Sequence, residues 1–282
     1  MRVLLVPNLS NPAAVQAAVE LVTWLTAQGL DPVLIAKDAA SVGLESCGVA
    51  RSDLGEPGLV VALGGDGTIL KAVHVLGATE SPILGVNFGK LGFLTGASSE
   101  DLRPAIVSAL AGDVCIERRA TLEVQVQMGG REVGRYRALN EVALVRGASG
   151  RVVEIEISIN EQVVQTMRCD GVIVATPTGS TAYALSAGGP IVSPSVGCCV
   201  VVPVAPHILS ARALVIGPSD VVTLTLPDAA RRNACLQIDG DVTPCRREIE
   251  HIVVSRSDSD ALLVRLDGHE FFEVVRREFL GG

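Results

Sequence analysis

The chain has 282 residues and a formal net charge of −8, and 48% of its residues are hydrophobic. This length accommodates one large domain or two modest ones, and the acidic balance argues against broad binding to nucleic acid or anionic membranes, because both need a basic face. No apolar run reaches the roughly 18 residues of a membrane-spanning helix, and the apolar start is too short for a secretory signal. We therefore expect a soluble, cytoplasmic protein.

The first 112 residues alternate strand-like and helix-like segments. Asn11 and Pro12 provide a cap and a first-turn proline for the first helix, and Ser98 with Asp101 resembles a capping box for the last. The predicted elements are strands 2–6, 32–36, 59–63 and 82–87, helices 13–28 and 67–76, and a helix that Ser98 opens and that ends at 110. This alternation predicts an α/β domain with a mostly parallel sheet covered on both faces.

From residue 114 onward the hydrophobic period becomes that of β-strands. Two hairpins are predicted, with turns at Gly129-Gly130 and Asn160-Glu161. Further strand-like runs are 171–175, 198–204, 221–226, 234–238, 251–255 and 261–266. The final segment spaces apolar residues on one helical face, which predicts a closing helix that packs on the first domain. We therefore expect an α/β domain of residues 1–112, joined by this helix at about 268–282, and a β-rich, antiparallel, sandwich-like domain of residues 113–267.

The seven cysteines show no CxxC spacing, and the four histidines are scattered. We interpret the cysteines as buried thiols in a reducing compartment. We expect no metal site built from side chains alone.

The stretch Gly64–Thr68, GGDGT, directly follows the predicted strand 59–63. Glycines leave room for a phosphate, and the helix that follows aims its positive end at the same place. Asp66 is unexpected there because its charge repels phosphate. It could hold Mg²⁺ with the phosphates, accept a proton from an attacking hydroxyl, or merely cap the helix.

Other polar stretches also follow strands. A second glycine-rich stretch, 87–96, begins at a neighbouring strand end on the same rim of the sheet. A third, 168–192, offers hydroxyls and backbone groups to a polar ligand, although a capped helix start at Ser180 or Thr181 would explain it too. The pair Asn140-Glu141 lies inside the apolar strand predicted for 139–145, so it needs a partner or faces a cleft. The sequence Asp239-Gly240-Asp241 is interpreted as a simple turn.

Together these stretches resemble the NAD kinase family. The matching segments are GGDGT at 64–68, NFGKLGFLT at 87–95, NE at 140–141, DGVIVATPTGSTAYALSAGGPIV at 170–192 and PHILSARALV at 206–215. The resemblance implies a two-domain fold and transfer of the γ-phosphoryl group of ATP, or of polyphosphate in some members, to the 2′-hydroxyl of the adenosine ribose of NAD. It also implies a divalent metal ion, Mg²⁺ or another, and a homodimer or homotetramer.

The resemblance further implies roles for individual residues. Asp66 matches the catalytic base, which also contacts the substrate. The other implied substrate-binding positions are Gly67, Lys71, Asn140, Glu141, Arg151, Arg168, Asp170, Thr181, Ala182, Tyr183, Ser186 and Ala205. Asp241 departs from the glutamine of many members, and Ala213 departs from a usual proline.

Two alternatives remain open from the sequence. A lipid kinase of the diacylglycerol or sphingosine type shares GGDGT, but the acidic charge and the Asn140-Glu141 pair argue against it. A non-catalytic NAD(P)-binding regulator is disfavoured by the intact Asp66.

Overall fold

The computed structural model describes residues 1–89, 92–148, 150–227, 231, 234–243, 248–266 and 271–281. The chain divides into two compact units: unit 1 comprises Met1–Arg119 and Ala261–Gly282, and unit 2 comprises Ala120–Asp260. This division differs from the boundaries predicted after residues 112 and 267, because the strands that directly precede and follow unit 2, Cys115–Arg119 and Ala261–Arg265, belong to the sheet of unit 1.

Unit 1 alternates strands and helices, as the hydrophobic pattern predicts. Its elements are β1 (Arg2–Pro7), α1 (Pro12–Ala27), β2 (Asp31–Ile35), α2 (Ala36–Ser41), β3 (Gly48–Val49), β4 (Leu59–Leu63), α3 (Asp66–Leu76), β5 (Pro82–Asn87), β6 (Ala97–Ser98), α4 (Leu102–Ala111) and β7 (Cys115–Arg119). After unit 2 the chain returns to unit 1 in its last strand (Ala261–Arg265) and last helix (Phe271–Phe279).

The regular elements in the described part of unit 2 are almost all strands. They are β8 (Leu122–Met128), β9 (Arg131–Ala138), β10 (Glu141–Arg146), β11 (Val153–Ile159), β12 (Gln162–Cys169), β13 (Gly171–Ala175), β14 (Cys199–Val204), β15 (Leu214–Ile216), β16 (Val222–Thr225), β17 (Ala234–Ile238), β18 (Asp241–Val242) and β19 (His251–Arg256). A short helix, α5 (Tyr183–Ser186), follows β13. The last strand and helix of unit 1 are then β20 and α6.

The sheet of unit 1 has the order β3-β2-β1-β4-β5-β20-β7, with β6 also paired to β5, among the described residues. Its pairs are parallel except for β20 with β7. Every residue of β4 is buried, as expected for an apolar strand covered on both faces. The predicted mostly parallel α/β sheet is confirmed.

Two of the helix ends show how local sequence sets them. The Asn11 side chain accepts hydrogen bonds from the amides of Ala13 and Ala14, so α1 is capped as predicted. The capping box predicted for α4 is wrong. Asp101 is the N-cap residue and makes no side-chain cap bond, because its carboxylate instead accepts a 2.7 Å hydrogen bond from the Ser98 hydroxyl.

Unit 2 contains two antiparallel sheets in its described part, with the orders β15-β14-β13-β10-β17-β18 and β12-β11-β16-β19-β8-β9. One buried apolar cluster draws on both sheets, for example on Val124 and Ile155 from one and on Val142 and Val172 from the other. The predicted sandwich-like arrangement is therefore confirmed.

Both predicted hairpin turns are also confirmed. Gly129 and Gly130 join β8 to β9 with φ of 59° and 68°, and Asn160 and Glu161 join β11 to β12 with φ of 50° and 67°. Two successive residues with positive φ give the turn twist that matches paired strands.

The strand β20 was predicted within the β-rich half of the chain, and this placement is wrong. It pairs in parallel with β5 and antiparallel with β7, which makes it an interior strand of the unit 1 sheet. The closing helix α6 also belongs to unit 1, where Phe271 and Phe279 place their rings 6.0 Å and 5.7 Å from that of Phe93. The start predicted at 268 lies outside the described residues.

Candidate functional site

The GGDGT turn lies where β4 ends and α3 begins. Gly65 is the N-cap residue of α3, and Asp66 is its first residue. A Cβ atom on Gly64 would collide with the Thr68 hydroxyl and the Asn8 side chain, so only glycine fits there. The first turn of α3 is thereby held tightly against the end of β1.

A cavity of about 370 Å³ opens at this turn, at the carboxyl ends of β1 and β4. It is lined by Pro7, Asn8, Leu9, Gly65, Gly67, Thr68 and Lys71. The Lys71 ammonium lies 2.7 Å from a carboxylate oxygen of Asp38, which is buried. A helix N-terminus and small residues make a cavity suited to an anion, and the Lys71 ammonium lies beside it with its charge partly offset by Asp38.

Asp66 does not line this cavity. Its carboxylate accepts hydrogen bonds from the backbone amides of Phe93 (2.9 Å) and Leu94 (3.0 Å). A Cβ atom on Gly92 would collide with that carboxylate, so the two glycine-rich stretches meet closely. The interpretation of Asp66 as a helix cap is wrong, because Gly65 is the N-cap and the carboxylate binds a different segment.

The segment that holds Asp66 is bound from its other side by Arg265, at the end of β20. The Arg265 guanidinium donates to the carbonyls of Phe93 (3.0 Å), Leu94 (3.1 Å) and Thr95 (2.8 Å). It also pairs with Glu117 at 2.7 Å. Burial opposes ionisation of Glu117, but the ion pairs with Arg119 and Arg265 outweigh it and lower its pKa.

In unit 2 the Asn140-Glu141 pair is held by a carboxylate from a distant turn. Asp239 accepts hydrogen bonds from the amides of Leu139 (2.8 Å), Asn140 (2.7 Å) and Glu141 (3.0 Å). Asp239 itself adopts a φ of 49° in the turn between β17 and β18. The turn predicted at 239–241 therefore exists, but its first residue does more than connect two strands.

The backbone of the same pair is fixed from β13. The Thr176 hydroxyl donates to the Leu139 carbonyl (2.6 Å), and the Thr176 amide donates to the Asn140 carbonyl (2.9 Å). A Cβ atom on Gly179 would collide with the Asn140 backbone. The strand predicted from residue 139 is wrong in its start, since β10 begins at Glu141 and residues 139 and 140 form a bend.

The carboxyl of Glu141 is buried and incompletely bonded. Its Oε2 atom has no hydrogen-bond partner in the described part of the chain. Burial and the nearby Asp239 charge raise the pKa of Glu141 to about 7, against a lowering by the backbone amide of Tyr183. Near neutral pH this group can therefore either donate or accept a hydrogen bond.

The TPTGSTAY stretch forms a 3₁₀ turn, Thr178–Thr181, followed by α5. The Ser180 hydroxyl is buried and bonds the Pro177 carbonyl and the Val192 amide, so it serves the fold. The helix start predicted at Ser180 or Thr181 is therefore displaced to Tyr183. The Glu141 carboxyl thus meets the amide of Tyr183, the first residue of α5. Thr181 and Ala182 directly precede that residue, and Ser186 ends the helix.

Four other predicted site residues lie at the opposite end of the same strands. The register pairs Glu141 with Ala175 at one end of β10 and β13, and Val145 with Gly171 at the other. At the second end the Asp170 amide donates to the Val204 carbonyl beside Ala205, and the His207 amide donates to the Arg168 carbonyl. The two ends are on the order of 13 Å apart at about 3.3 Å per residue.

Arg146 organises this second end. Its guanidinium pairs with Asp170 at 2.9 Å and donates to the Gly150 carbonyl at 2.7 Å, next to Arg151. Arg151, Arg168 and Ala205 are all exposed, and Ala205 has a φ of 42°. The structure thus separates the predicted site residues of unit 2 into two groups.

Comparison with known proteins decides the family. The ATP-NAD kinase N-terminal domain matches residues 50–114, and the ATP-NAD kinase C-terminal domain matches residues 139–266. The NAD kinase of Geotalea daltonii is 36% identical over 276 residues, covering 98% of this chain and 96% of the relative. That of Symbiobacterium thermophilum is 38% identical over 278 residues, covering 98% of each. The chain belongs to the NAD kinase family.

Solved structures of this family share the fold. A yeast NADH kinase complexed with NADH superposes with a TM-score of 0.88 at 26% identity, covering 100% of this chain and 87% of that one. An NAD kinase from Archaeoglobus fulgidus in complex with ATP gives a TM-score of 0.72 at 25% identity, covering 100% and 98%. The predicted membership in the NAD kinase family, made from the motifs, is confirmed.

Three residues that hold the NAD kinase motifs were not predicted as site residues. Asp239 had a signal in the sequence, an aspartate before glycine after an apolar strand, but its partners lie 98 to 100 residues away. Arg146 and Arg265 had none, because each simply ends a strand.

No helix in the described part of the chain is long and apolar enough to span a bilayer.

Cys169, Cys198 and Cys199 are buried as predicted, whereas Cys47 and Cys235 are half-buried and Cys115 is exposed, so the prediction of buried thiols is wrong for Cys115. Burial raises the pKa of Cys169 and of Cys199 to about 11, which keeps both thiols protonated and unreactive at neutral pH. The described cysteines are free thiols, whereas Cys245 lies outside the described residues.

Proposed function

We propose that the protein is an NAD kinase that transfers the γ-phosphoryl group of ATP to the 2′-hydroxyl of the adenosine ribose of NAD, producing NADP. Family membership over nearly the whole chain supports this reaction. The observation that carries it is the carboxylate of Asp66, oriented by two amides beside an anion cavity at the end of a parallel sheet.

The cavity beside the GGDGT turn binds the phosphates. The backbone at Gly65 and Gly67 carries no side chain that would keep phosphate oxygens away, and α3 directs its positive end there. Lys71 adds a cation whose position is fixed by Asp38. These groups neutralise and orient the triphosphate, which supplies most of the catalysis in phosphoryl transfer.

Asp66 acts as the general base. One of its carboxylate oxygens takes the proton of the 2′-hydroxyl as that oxygen forms a bond to the γ-phosphorus. The bond between the γ-phosphorus and the bridging oxygen of the β-phosphate breaks, and ADP leaves. A positioned base contributes roughly 10²–10⁴ in rate. The two amides held by Asp66 fix its orientation before substrate arrives.

The Asn140-Glu141 pair recognises the dinucleotide together with the residues Thr181, Ala182, Tyr183 and Ser186 of the same unit. The Oε2 atom of Glu141, which has no partner among the described residues, supports this role, because a buried carboxyl oxygen without a partner is costly unless a ligand hydroxyl completes it. Asp239 and Thr176 hold the pair rigidly, which lowers the entropic cost of binding.

We further propose a homodimer or homotetramer. The group Arg151, Arg168, Asp170 and Ala205 lies at the far end of β10 and β13 from Glu141. In this proposal, the second group of residues contributes to the dinucleotide site of another copy of the chain. This would explain why predicted site residues lie at both ends of one sheet. Several apolar side chains of unit 2 are exposed and available to such an interface, including Val163, Leu209 and Val215.

A divalent cation, Mg²⁺, completes the proposed reaction. The described residues contain no group of three or more His, Cys, Asp or Glu side chains that could hold a metal ion. We propose that the ATP phosphates and water hold the ion, which is the usual manner for Mg²⁺ with nucleotides. When bound, the ion neutralises charge on the transferred phosphoryl group.

We also propose a cytoplasmic location, where NAD and ATP are available.

The test incubates the purified protein with NAD, ATP and Mg²⁺ and measures NADP with an NADP-specific dehydrogenase. We expect NADP formation that requires all three. Parallel reactions replace NAD by NADH or a diacylglycerol, and ATP by polyphosphate. Phosphorylation of the lipid alone would establish the lipid kinase alternative, and NAD binding without turnover would establish the non-catalytic regulator.

A further inference from the structure

Residues 92–95 hold the carboxylate of Asp66, and we name them the Asp66-holding segment. Arg265 is hydrogen-bonded to this segment. This segment forms no strand or helix, so its backbone groups need partners elsewhere. The amides of Phe93 and Leu94 donate hydrogen bonds to the Asp66 carboxylate. The carbonyls of Phe93, Leu94 and Thr95 accept hydrogen bonds from the Arg265 guanidinium. Two side chains therefore fix opposite edges of one backbone.

The second half of the segment is also buried, which makes the bonds to the carbonyls of Leu94 and Thr95 costly to lose. Leu94 is 3% exposed and Thr95 is 1% exposed. A buried carbonyl that loses its donor is destabilising, so without Arg265 the segment would move to find new partners. Any movement of its amides would carry the carboxylate of Asp66 with it.

Arg265 is itself held in place. Its Nε atom lies 2.7 Å from Glu117, whose other oxygen lies 2.9 Å from Arg119. The planar guanidinium can serve a carboxylate and three carbonyls at once, whereas a lysine ammonium has three donors on a flexible stem. The geometry therefore demands arginine at this position and not merely a positive charge.

We propose that Arg265 is a positioning residue for Asp66 and acts on phosphoryl transfer through the Asp66-holding segment, without contact to either substrate. This inference rests on the proposed function of Asp66 as the base. Misplacement of a catalytic group by about 1 Å can cost about 10² in rate, whereas substrate binding at other residues is unaffected. The effect of Arg265 therefore falls on kcat.

The test is a double-mutant cycle with Arg265→Lys and Asp66→Asn in the full-length protein. We expect Arg265→Lys to lower kcat about 10- to 100-fold, with KM for NAD and for ATP within about twofold of wild type. In the Asp66→Asn background the same substitution should change kcat less than about twofold, because the group it positions is gone. The matched control is Arg118→Lys. Arg118 lies on β7, the strand paired with β20, and forms an ion pair with Glu80, so this variant should leave kcat unchanged.

Several outcomes would overturn the proposal. They are a kcat of Arg265→Lys within twofold of wild type, equal losses with and without Asp66, or an increase in KM that accounts for the whole effect. Should Arg265→Lys fail to fold, as judged by its melting curve, Glu117→Gln takes its place in the cycle. That variant keeps the guanidinium but loosens its anchor, so a smaller loss of kcat with the same dependence on Asp66 is expected. Absence of NADP formation by the wild type would instead refute the proposed function.

Discussion

The carboxylate of Asp239 and the backbone amide of Asn140 are joined by a 2.7 Å hydrogen bond across 99 positions of sequence. The same carboxylate also accepts the amides of Leu139 and Glu141. Hydrogen bonds to a charged acceptor are shorter and stronger than neutral ones. The bend that presents Asn140 and Glu141 is therefore held by a side chain that does not need to touch any substrate.

Asp239→Asn should destabilise unit 2 and impair NAD binding. The amide side chain presents a donor where the carboxylate accepts, so at least one backbone amide loses its acceptor at a cost of roughly 1–3 kcal/mol. We expect a lower urea midpoint and a KM for NAD raised about tenfold. The control is Asp241→Asn, two residues away and exposed, which should match wild type in stability. Equal stability of both variants would show that Asp239 does not hold the bend.

Glu141→Gln should change how stability depends on pH. The pKa of about 7 in the folded protein lies above its ordinary value of 4.5, so between these values the folded state binds more protons than the unfolded state. The free energy of unfolding of wild type therefore falls as the pH rises through this window, by up to roughly 3 kcal/mol at about 1.4 kcal/mol per unit.

Glutamine is neutral throughout, so the variant should be nearly as stable as wild type at pH 5 and more stable at pH 8. Urea unfolding followed by circular dichroism at both pH values measures this difference. A constant difference between variant and wild type would contradict the assignment of a buried, partly protonated Glu141.

Asp66→Asn should lower turnover by about 10²–10⁴ while NAD still binds, because the amide cannot accept the hydroxyl proton. The amide oxygen can still accept one of the two backbone hydrogen bonds, so the fold should survive. Steady-state kinetics and calorimetric titration with NAD measure the two effects separately. Near-normal turnover would rule out Asp66 as the base.

Gly92→Ala should lower kcat at least about tenfold, because the new methyl group would displace the Asp66 carboxylate. The matched control is Gly89→Ala in the same connection, where the nearest atom to the new methyl group lies 4.0 Å away. NADP formation by both variants is compared at saturating substrates. If the two lose activity equally, contact with Asp66 is not the reason that residue 92 is glycine.

Much of the architecture was predictable because local patterns decide it. The unbroken apolar run of β4 and the glycines after it predict a buried strand that ends at a ligand rim, and Gly129-Gly130 predicts a hairpin. The placement of β20 was not predictable, since a short apolar strand looks the same in either unit. Its position in the sheet depends on pairing with β5 and β7, which lie far away in the sequence.

The candidate site shows the same limit. Asp66 was identifiable because an acidic residue among glycines contradicts simple phosphate binding. The partners of its carboxylate, Phe93 and Leu94, were not, because their contribution is a backbone amide that any residue carries. Arg265 ends a strand like many arginines, and only the three-dimensional path of the chain reveals the carbonyls it serves.

The position of β20 also bears on biosynthesis. Because β20 pairs with β5 on one side and β7 on the other, the nascent N-terminal half waits with an open sheet edge until Ala261–Arg265 has left the ribosome. Non-local pairing of this kind slows folding and leaves a strand edge exposed to aggregation. Arg265, which we propose to position Asp66, therefore joins the sheet of unit 1 only after all of unit 2 has been synthesised.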